Sequence, residues 1–278
     1  MLNHAELDSY RDEYEITIGH DAEVFLRDIE GRSISAIGKV GGSKEKPLKT
    51  PHGWVQEDGM AAEVNISPAK SSQEFVQSSL LVLDDLLSII QPLDLSIDIS
   101  ASTVFDNDQL KHPLATLAGC DPDYNAYSVE ENQAVQYEDG LRAGAGHIHI
   151  GWKDSDSAGL EGLLSLVKAV DLHVTLPSVL LDPDTRRRSL YGKAGDFRPK
   201  PYGIEARSPS NFWLRSTQEM EWVYYAAIKS HLKMGESLGY AMECEVQRII
   251  NESDRAGALE LVHDLKLDLP VGVEINDL

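Results

Sequence analysis

Four short stretches of this chain place apolar residues at every second position and ionisable ones between them, the period of a strand with one buried face. Over residues 14–26, Ile16, Ile18, His20, Ala22, Val24 and Leu26 share one face, while Asp21 and Glu23 share the other. Over 60–66, Ala62, Val64 and Ile66 oppose Glu63 and Asn65. Over 142–152, Ile148 and Ile150 oppose His147 and His149, and over 202–207, Ile204 and Ala206 oppose Glu205 and Arg207. Helix-length segments do not separate every pair of strands. This order predicts an α+β chain with an antiparallel sheet, not a doubly wound parallel one. The apolar faces should pack on helices, leaving the ionisable faces together on the other side.

The connecting segments follow from local chemistry. Ser71 and Glu74 form a capping box that opens a helix to about Ile90, and Ser216 and Glu219 open a long one to about Ile250. A further helix is expected over 158–176, ended by Pro177, and a short one over 255–265. Shorter strands are expected near 33–37 and over 95–105, with loops over 39–52, 110–139 and 181–199. His20, on the apolar side, reads as a core histidine. The four tryptophans read mainly as packing, with one available to wall a pocket.

The chain carries 25 Lys and Arg against 46 Asp and Glu, a net charge of −21. Such a surface argues against nucleic acid or an anionic membrane as partner. The two most apolar stretches, 75–90 and 160–181, contain charges, so no membrane span is expected. The first residues have neither a basic nor an apolar signal region, and Cys120 and Cys244 read as reduced thiols, although a disulfide between them stays open. A cytoplasmic protein is therefore expected. Within this acidic chain, residues 186–215 hold eight basic residues and two acids. Carboxylates with at most one or two imidazoles and no thiolate suit Mg²⁺ or Mn²⁺. A divalent metal with clustered arginine is the equipment of phosphoryl transfer from a nucleotide. Neither a P-loop nor a dinucleotide fingerprint is present. That chemistry would therefore sit on the open sheet.

The order Asp21-Ala22-Glu23, Glu63, Gly146-His147-Ile148-His149 and Glu205-Ala206-Arg207 resembles the carboxylate–amine ligases of the glutamine synthetase fold. The closer resemblance is to the phage-type carboxylate–amine ligases. It is carried by Gly19–Phe25, Asp58–Pro68, Gly119–Asn125, Arg142–His149 and Tyr202–Arg207, and covers residues 14–215. The resemblance implies an ATP-dependent ligase that forms an amide or isopeptide bond through an acyl phosphate. Its substrates would be a small molecule or peptide bearing a carboxylate, and an amine acceptor. It implies two or more Mg²⁺ or Mn²⁺ ions held by Asp21, Glu23, Glu63, His147 and Glu205. Arg207, Arg198 and Arg188 would contact phosphate or substrate, and His149 would stand by the nucleotide. Residues 1–215 would form the catalytic sheet domain, with 216–278 as helices packed on it; if phage-encoded, the protein would work in the host cytoplasm. Asp21 stands where glutamine synthetase has Glu, one methylene longer. Asp58 is open to two readings, as a further carboxylate or as part of a turn with Gly59. Two other functions stay open: a cupin-like metal protein using His147, His149 and Asp154, and a non-catalytic binding protein that kept the sheet.

Overall fold

The computed structural model describes residues 2–116, 123–133 and 140–275. Helix α1 (His4–Tyr14) leads into β1 (Thr17–Arg27), the long central strand. There follow β2 (Ser33–Ile34), β3 (Leu48–Lys49), β4 (Trp54–Asp58), β5 (Ala61–Asn65) and α2 (Ser72–Ile90). Short strands β6 (Ser96–Asp98), β7 (Ser102–Val104), β8 (Tyr124–Asn125) and β9 (Leu141–Ala143) precede β10 (Gly146–Gly151). Helices α3 (Gly159–Val170), α4 (Leu176–Leu181) and α5 (Arg187–Leu190) come next. Then come β11 (Asp196–Lys200), β12 (Gly203–Ala206), α6 (Thr217–Leu232), α7 (Tyr240–Glu252) and α8 (Arg255–Asp264).

The main sheet has the order β3-β4-β5-β1-β10-β12-β11-β8, with β2 and β6 also paired to β1. Its pairings are antiparallel, as the strand order predicts. The apolar face is dry: Ile18, Ala22, Val24, Ala62, Val64, Ile148, Ile150, Ile204 and Ala206 are fully buried. Helices α2, α3 and α6 belong to the same core, through Phe75, Val82, Leu86, Val170, Val223 and Ala227. Each fully buried branched or aromatic side chain here is worth about 1.5–3 kcal/mol. His20 is indeed a core histidine, with Nε2 2.9 Å from Ser79 Oγ and its ring edge-on to Trp213.

The α2 boundaries match the sequence reading: Ser71 Oγ accepts from the Glu74 N–H. Other elements differ. Pro177 does not end its helix. A wide turn over Asp171–Thr175, in which the Leu176 N–H reaches back to the Asp171 carbonyl, makes room for a residue that has no N–H, and the helix continues to Leu181. The long helix from Ser216 breaks into α6 and α7, because Gly235 and Gly239 take left-handed backbone angles of 88° and 77°. The stretch 95–105 splits into two short strands, and β4 was not anticipated. The stretches Ser72–Leu93 and Ser155–Leu181 are long and apolar enough to cross a membrane by length and composition, despite their internal charges. Here both contribute core residues. Cys244 is an exposed free thiol; Cys120, with most of the segment Gly119–Asn125, lies outside the described residues.

Gly146 opens β10 where β10 meets the chain after β12. A Cβ added there would overlap the Ser210 carbonyl oxygen. We expect Gly146→Ala to lower stability by about 1–3 kcal/mol through overpacking, measurable by urea denaturation. An unchanged midpoint would refute this close approach.

Candidate active site

The register of the sheet sets its polar side chains in rows. Asp21 on β1 lies opposite Asn65 on β5 and His147 on β10. Glu23 lies opposite Glu63, and Glu63 opposite Gln56 on β4. On the other flank His149 lies opposite Glu205, and Glu205 opposite Arg198. The sheet thus presents one polar field, and a pocket of about 450 Å³ opens over it.

Two groups of three ligands form within this field. Asp21, His147 and Glu205 make one, and Glu23, Asp58 and Glu63 the other; in each, the donor atoms lie within 4.8 Å of one another. Asp58 therefore belongs with the carboxylates. Glu63 Oε1 accepts from Gln56 Nε2 at 3.0 Å and from Asn65 Nδ2 at 2.9 Å, which fixes its orientation. Glu23 Oε2 accepts from the Ala145 N–H at 2.9 Å. Donor sets of this kind, oxygen-rich with one imidazole, fit Mg²⁺ or Mn²⁺.

Opposite stand the cations. Glu205 is fully buried, and Arg198, Lys200 and Arg207 all converge on it. Arg207 also donates Nε to Asp123 at 2.9 Å. Its backbone N–H donates to the Asp196 carbonyl, which fixes the strand end. Arg187 is buried and donates to the carbonyls of Gly144, Ser208 and Pro209, tying the start of β10 to the chain leaving β12.

The charges are pushed in opposite directions on the two sides. Burial drives Glu23 up to about 8, helped by Asp58. Burial and then Asp21 drive Glu63 well above the carboxylate range. Burial alone would raise Asp21 too, but His149 and His147 hold it well below its usual value. Glu205 likewise resists its burial and the charge of Asp21: His147 and Arg207 hold it down to about 2. Burial lowers His147, with Arg207 adding to the effect. Glu23 and Glu63 thus favour protonation without a cation, while Asp21 and Glu205 favour ionisation.

The structure brings together on this face Asp21, Glu23, Glu63, His147, His149, Arg198, Glu205 and Arg207. Arg188 is a correction. It is buried away from the pocket, its guanidinium donating to Ser178 Oγ at 3.0 Å and to Ser253 Oγ at 3.4 Å. The short helix α5 turns Arg188 toward α4 and α7, a rotation that a run of three arginines does not reveal. Before His147, Gly146 makes room for the Ser210 backbone, and Gly144 lies against the Ser100 carbonyl and the side chains of Asn211 and Phe25. Asp154 is exposed in a left-handed turn, outside the field. Sequence reasoning missed Tyr191, Lys200 and Gln56, which line the pocket. Only Lys200 carried a signal, as part of the basic run. Of the tryptophans, Trp54 lines the pocket, and Trp213 and Trp222 are core.

Residues 134–269 match the model of the family described as "Phage phiEco32-like COOH.NH2 ligase-type 2". The match contains His147, His149, Arg198, Glu205 and Arg207, and begins after Asp21, Glu23 and Glu63. No curated protein matches the sequence. Among solved structures, "Apo GmaS without ligand" is similar at a TM-score of 0.46 and 11% identity, over 92% of this chain and 66% of that one. "Crystal structure of novel glutamine synthase homolog" is similar at 0.44 and 13%, over 98% and 71%. "GmaS/ADP complex-Conformation 1" is similar at 0.43 and 11%, over 94% and 66%. The chain thus spans about two thirds of the length of these proteins, and the likeness is too loose for residue-by-residue correspondence.

A carboxyl whose folded pKa is raised keeps a proton that the unfolded chain has lost, so its contribution to stability falls as pH rises toward the folded value. Glu23, near 8, and Asp196, near 7 through burial and Asp123, act this way, as does Glu63. His20 near 3, and His173 and His231 near 4, are lowered by burial and act oppositely, removing stability as pH falls below the ordinary histidine value. Above the ordinary histidine value only the raised carboxyls still act, so we expect the metal-free protein to lose stability from about pH 6.5 toward about pH 8. Saturating Mg²⁺ or Mn²⁺ should reverse the alkaline loss, because the ions bind the carboxylates as anions. Denaturant titrations across pH, with and without metal, test this; a flat alkaline limb would contradict it.

Proposed function

We propose that this chain is an ATP- and Mg²⁺- or Mn²⁺-dependent ligase that joins a carboxylate to an amine through an acyl phosphate, forming an amide or isopeptide bond. The observation that carries the reading is that two three-ligand groups share one polar face with Arg198, Lys200 and Arg207, which pair with Glu205 of one group. The family match over residues 134–269 supports it. Asp21, His147 and Glu205 would hold one ion, and Glu23, Asp58 and Glu63 a second. Those ions would supply charge neutralisation to the triphosphate of bound ATP.

The chain's own residues supply the rest. Arg207, held by Glu205 and Asp123, presents a planar fork suited to a phosphoryl or carboxylate group. Arg198 and Lys200 give a row of positive charge beside it. These groups would bind and orient the transferred phosphoryl and the acid. The γ-phosphoryl would pass to a carboxylate oxygen with release of ADP, and the amine would then attack the acyl carbon, releasing phosphate and losing one proton to solvent. Arg188 is left out of this assignment by its burial elsewhere, and His149 is kept beside Asp21. The acid is a small molecule or peptide and the acceptor an amine. The ATP requirement fits a cytoplasmic setting, that of a host cell if the chain is phage-encoded. We assign the sheet, residues 1–215, the chemistry, and residues 216–278 its support. The cupin-like alternative loses its third ligand with Asp154 exposed.

Incubation with ATP, Mg²⁺ or Mn²⁺ and a panel of amino acids, scored by mass spectrometry for new amides, tests the activity directly. Absence of both ADP and amide across the panel would count against the reading. Two substitutions separate the roles. Glu205→Gln should weaken metal binding, since it removes charge, and recover part of its turnover at high Mn²⁺. Arg207→Lys should keep metal binding but lose about 10²–10³ in rate, with no rescue by metal. Parental turnover in Arg207→Lys would remove the role given to that arginine.

A further inference from the structure

His147 and His149 share one carboxylate and have one tyrosine each. His147 turns Nδ1 to Asp21 Oδ1 at 3.0 Å and Nε2 to Tyr191 Oη at 2.8 Å. His149 places Nε2 3.0 Å from the same Oδ1 and Nδ1 2.5 Å from Tyr202 Oη. Nδ1 of His147 is also 3.6 Å from Glu205 Oε1. It is therefore Nδ1, not Nε2, that meets the carboxylates able to share a cation.

This imposes a conflict on the ring. An ionised carboxylate only accepts, so in the metal-free protein a neutral His147 donates Nδ1–H to Asp21 and accepts at Nε2. A cation on Nδ1 requires that nitrogen bare, which places the proton on Nε2, where it needs an acceptor. A phenol hydroxyl serves both states by rotating, because it both donates and accepts. A phenol hydroxyl keeps its proton at neutral pH. The Tyr191 ring is also held in place: the guanidinium carbons of Arg187 and Arg207 lie 5.3 and 5.4 Å from its centroid.

We propose that Tyr191 is a positioning residue for the metal centre, its hydroxyl turning from donor to acceptor so that His147 can change tautomer and present a bare Nδ1 to a divalent cation shared with Asp21 and Glu205. On loading, Nδ1 gives its proton to solvent and Nε2 takes one up; the ring is neutral before and after, and Tyr191 keeps its own proton. The inference rests on the metal site proposed above. It adds a residue that neither the motifs nor the ligand groups contain.

The test is Tyr191→Phe, which removes the hydroxyl and keeps the ring between the arginines. ¹⁵N-histidine NMR reads the tautomer of His147, and calorimetry with Mg²⁺ alone reads affinity. In the parent, His147 should move from the Nδ1–H to the Nε2–H form on adding Mg²⁺. In Tyr191→Phe the metal-free tautomer should be unchanged, because Asp21 sets it, while Mg²⁺ affinity falls about tenfold or more. Parental affinity in the variant, with or without a lower melting temperature, overturns the role of Tyr191 and leaves the metal site standing. A parent that binds Mg²⁺ with His147 still in the Nδ1–H form overturns the proposal through the choice of nitrogen. A parent that binds neither Mg²⁺ nor Mn²⁺ overturns both readings.

Discussion

Asp21 sits near the centre of the sheet, on a strand paired on one side to β5 and on the other to β10. A carboxylate in that position is flanked by protein on both sides, and burial opposes its charge. It stays ionised because the register of β10 sets two imidazoles against it. The same registers place Glu63 across from Glu23 and Glu205 across from His149, so the whole polar field depends on these pairings. A slip of one residue between β1 and β10 would turn the histidines into the core and Ile148 to the pocket.

The pairing is secured from behind and at one end. Behind it, the dry face of β1, β5, β10 and β12 packs on α2, α3 and α6, where a misplaced charge would cost several kcal/mol. At the end, Arg187 gives its guanidinium to backbone carbonyls of two separate segments. Those bonds keep β10 and the chain after β12 at a fixed distance, and with them His147 and Arg207. An arginine in the middle of a basic run is thus part of the frame, while Arg198 and Lys200 on β11 face the ligand space.

The field is polarised. On the acidic side, burial and neighbouring carboxylates favour protonation of Glu23 and Glu63 in the absence of a cation. On the other side, Arg198, Lys200 and Arg207 meet Glu205, and Arg207 also meets Asp123. In the function proposed here, a triphosphate with its ions would meet both sides at once, the ions on the acidic side and the phosphate oxygens on the basic side. This complementarity is why a phosphoryl-transfer reading fits the site better than a lone structural metal.

Much of this was written in local patterns. A period of two in 14–26, 60–66, 142–152 and 202–207 was enough to place Asp21, Glu23, Glu63, His147, Glu205 and Arg207 on one face, because strand geometry leaves each side chain two choices. The Ser71 cap located the start of α2 because its Oγ takes the Glu74 N–H only three residues on. What the chain order could not contain is which strands become neighbours. Strand pairing decided that Asp58 joins Glu23 and Glu63 and that Arg198 enters the pocket, and the placement of α5 decided that Tyr191 meets His147 while Arg188 turns away. Pro177 and Gly239 show the same limit inside helices, where a wide turn absorbed the one and a left-handed backbone used the other as a break. The sequence by itself determined the faces, since side-chain alternation is a property of the single strand. The tertiary structure decided the partners, since contacts between residues as distant as Asp21 and His147 exist only once the sheet has closed its register.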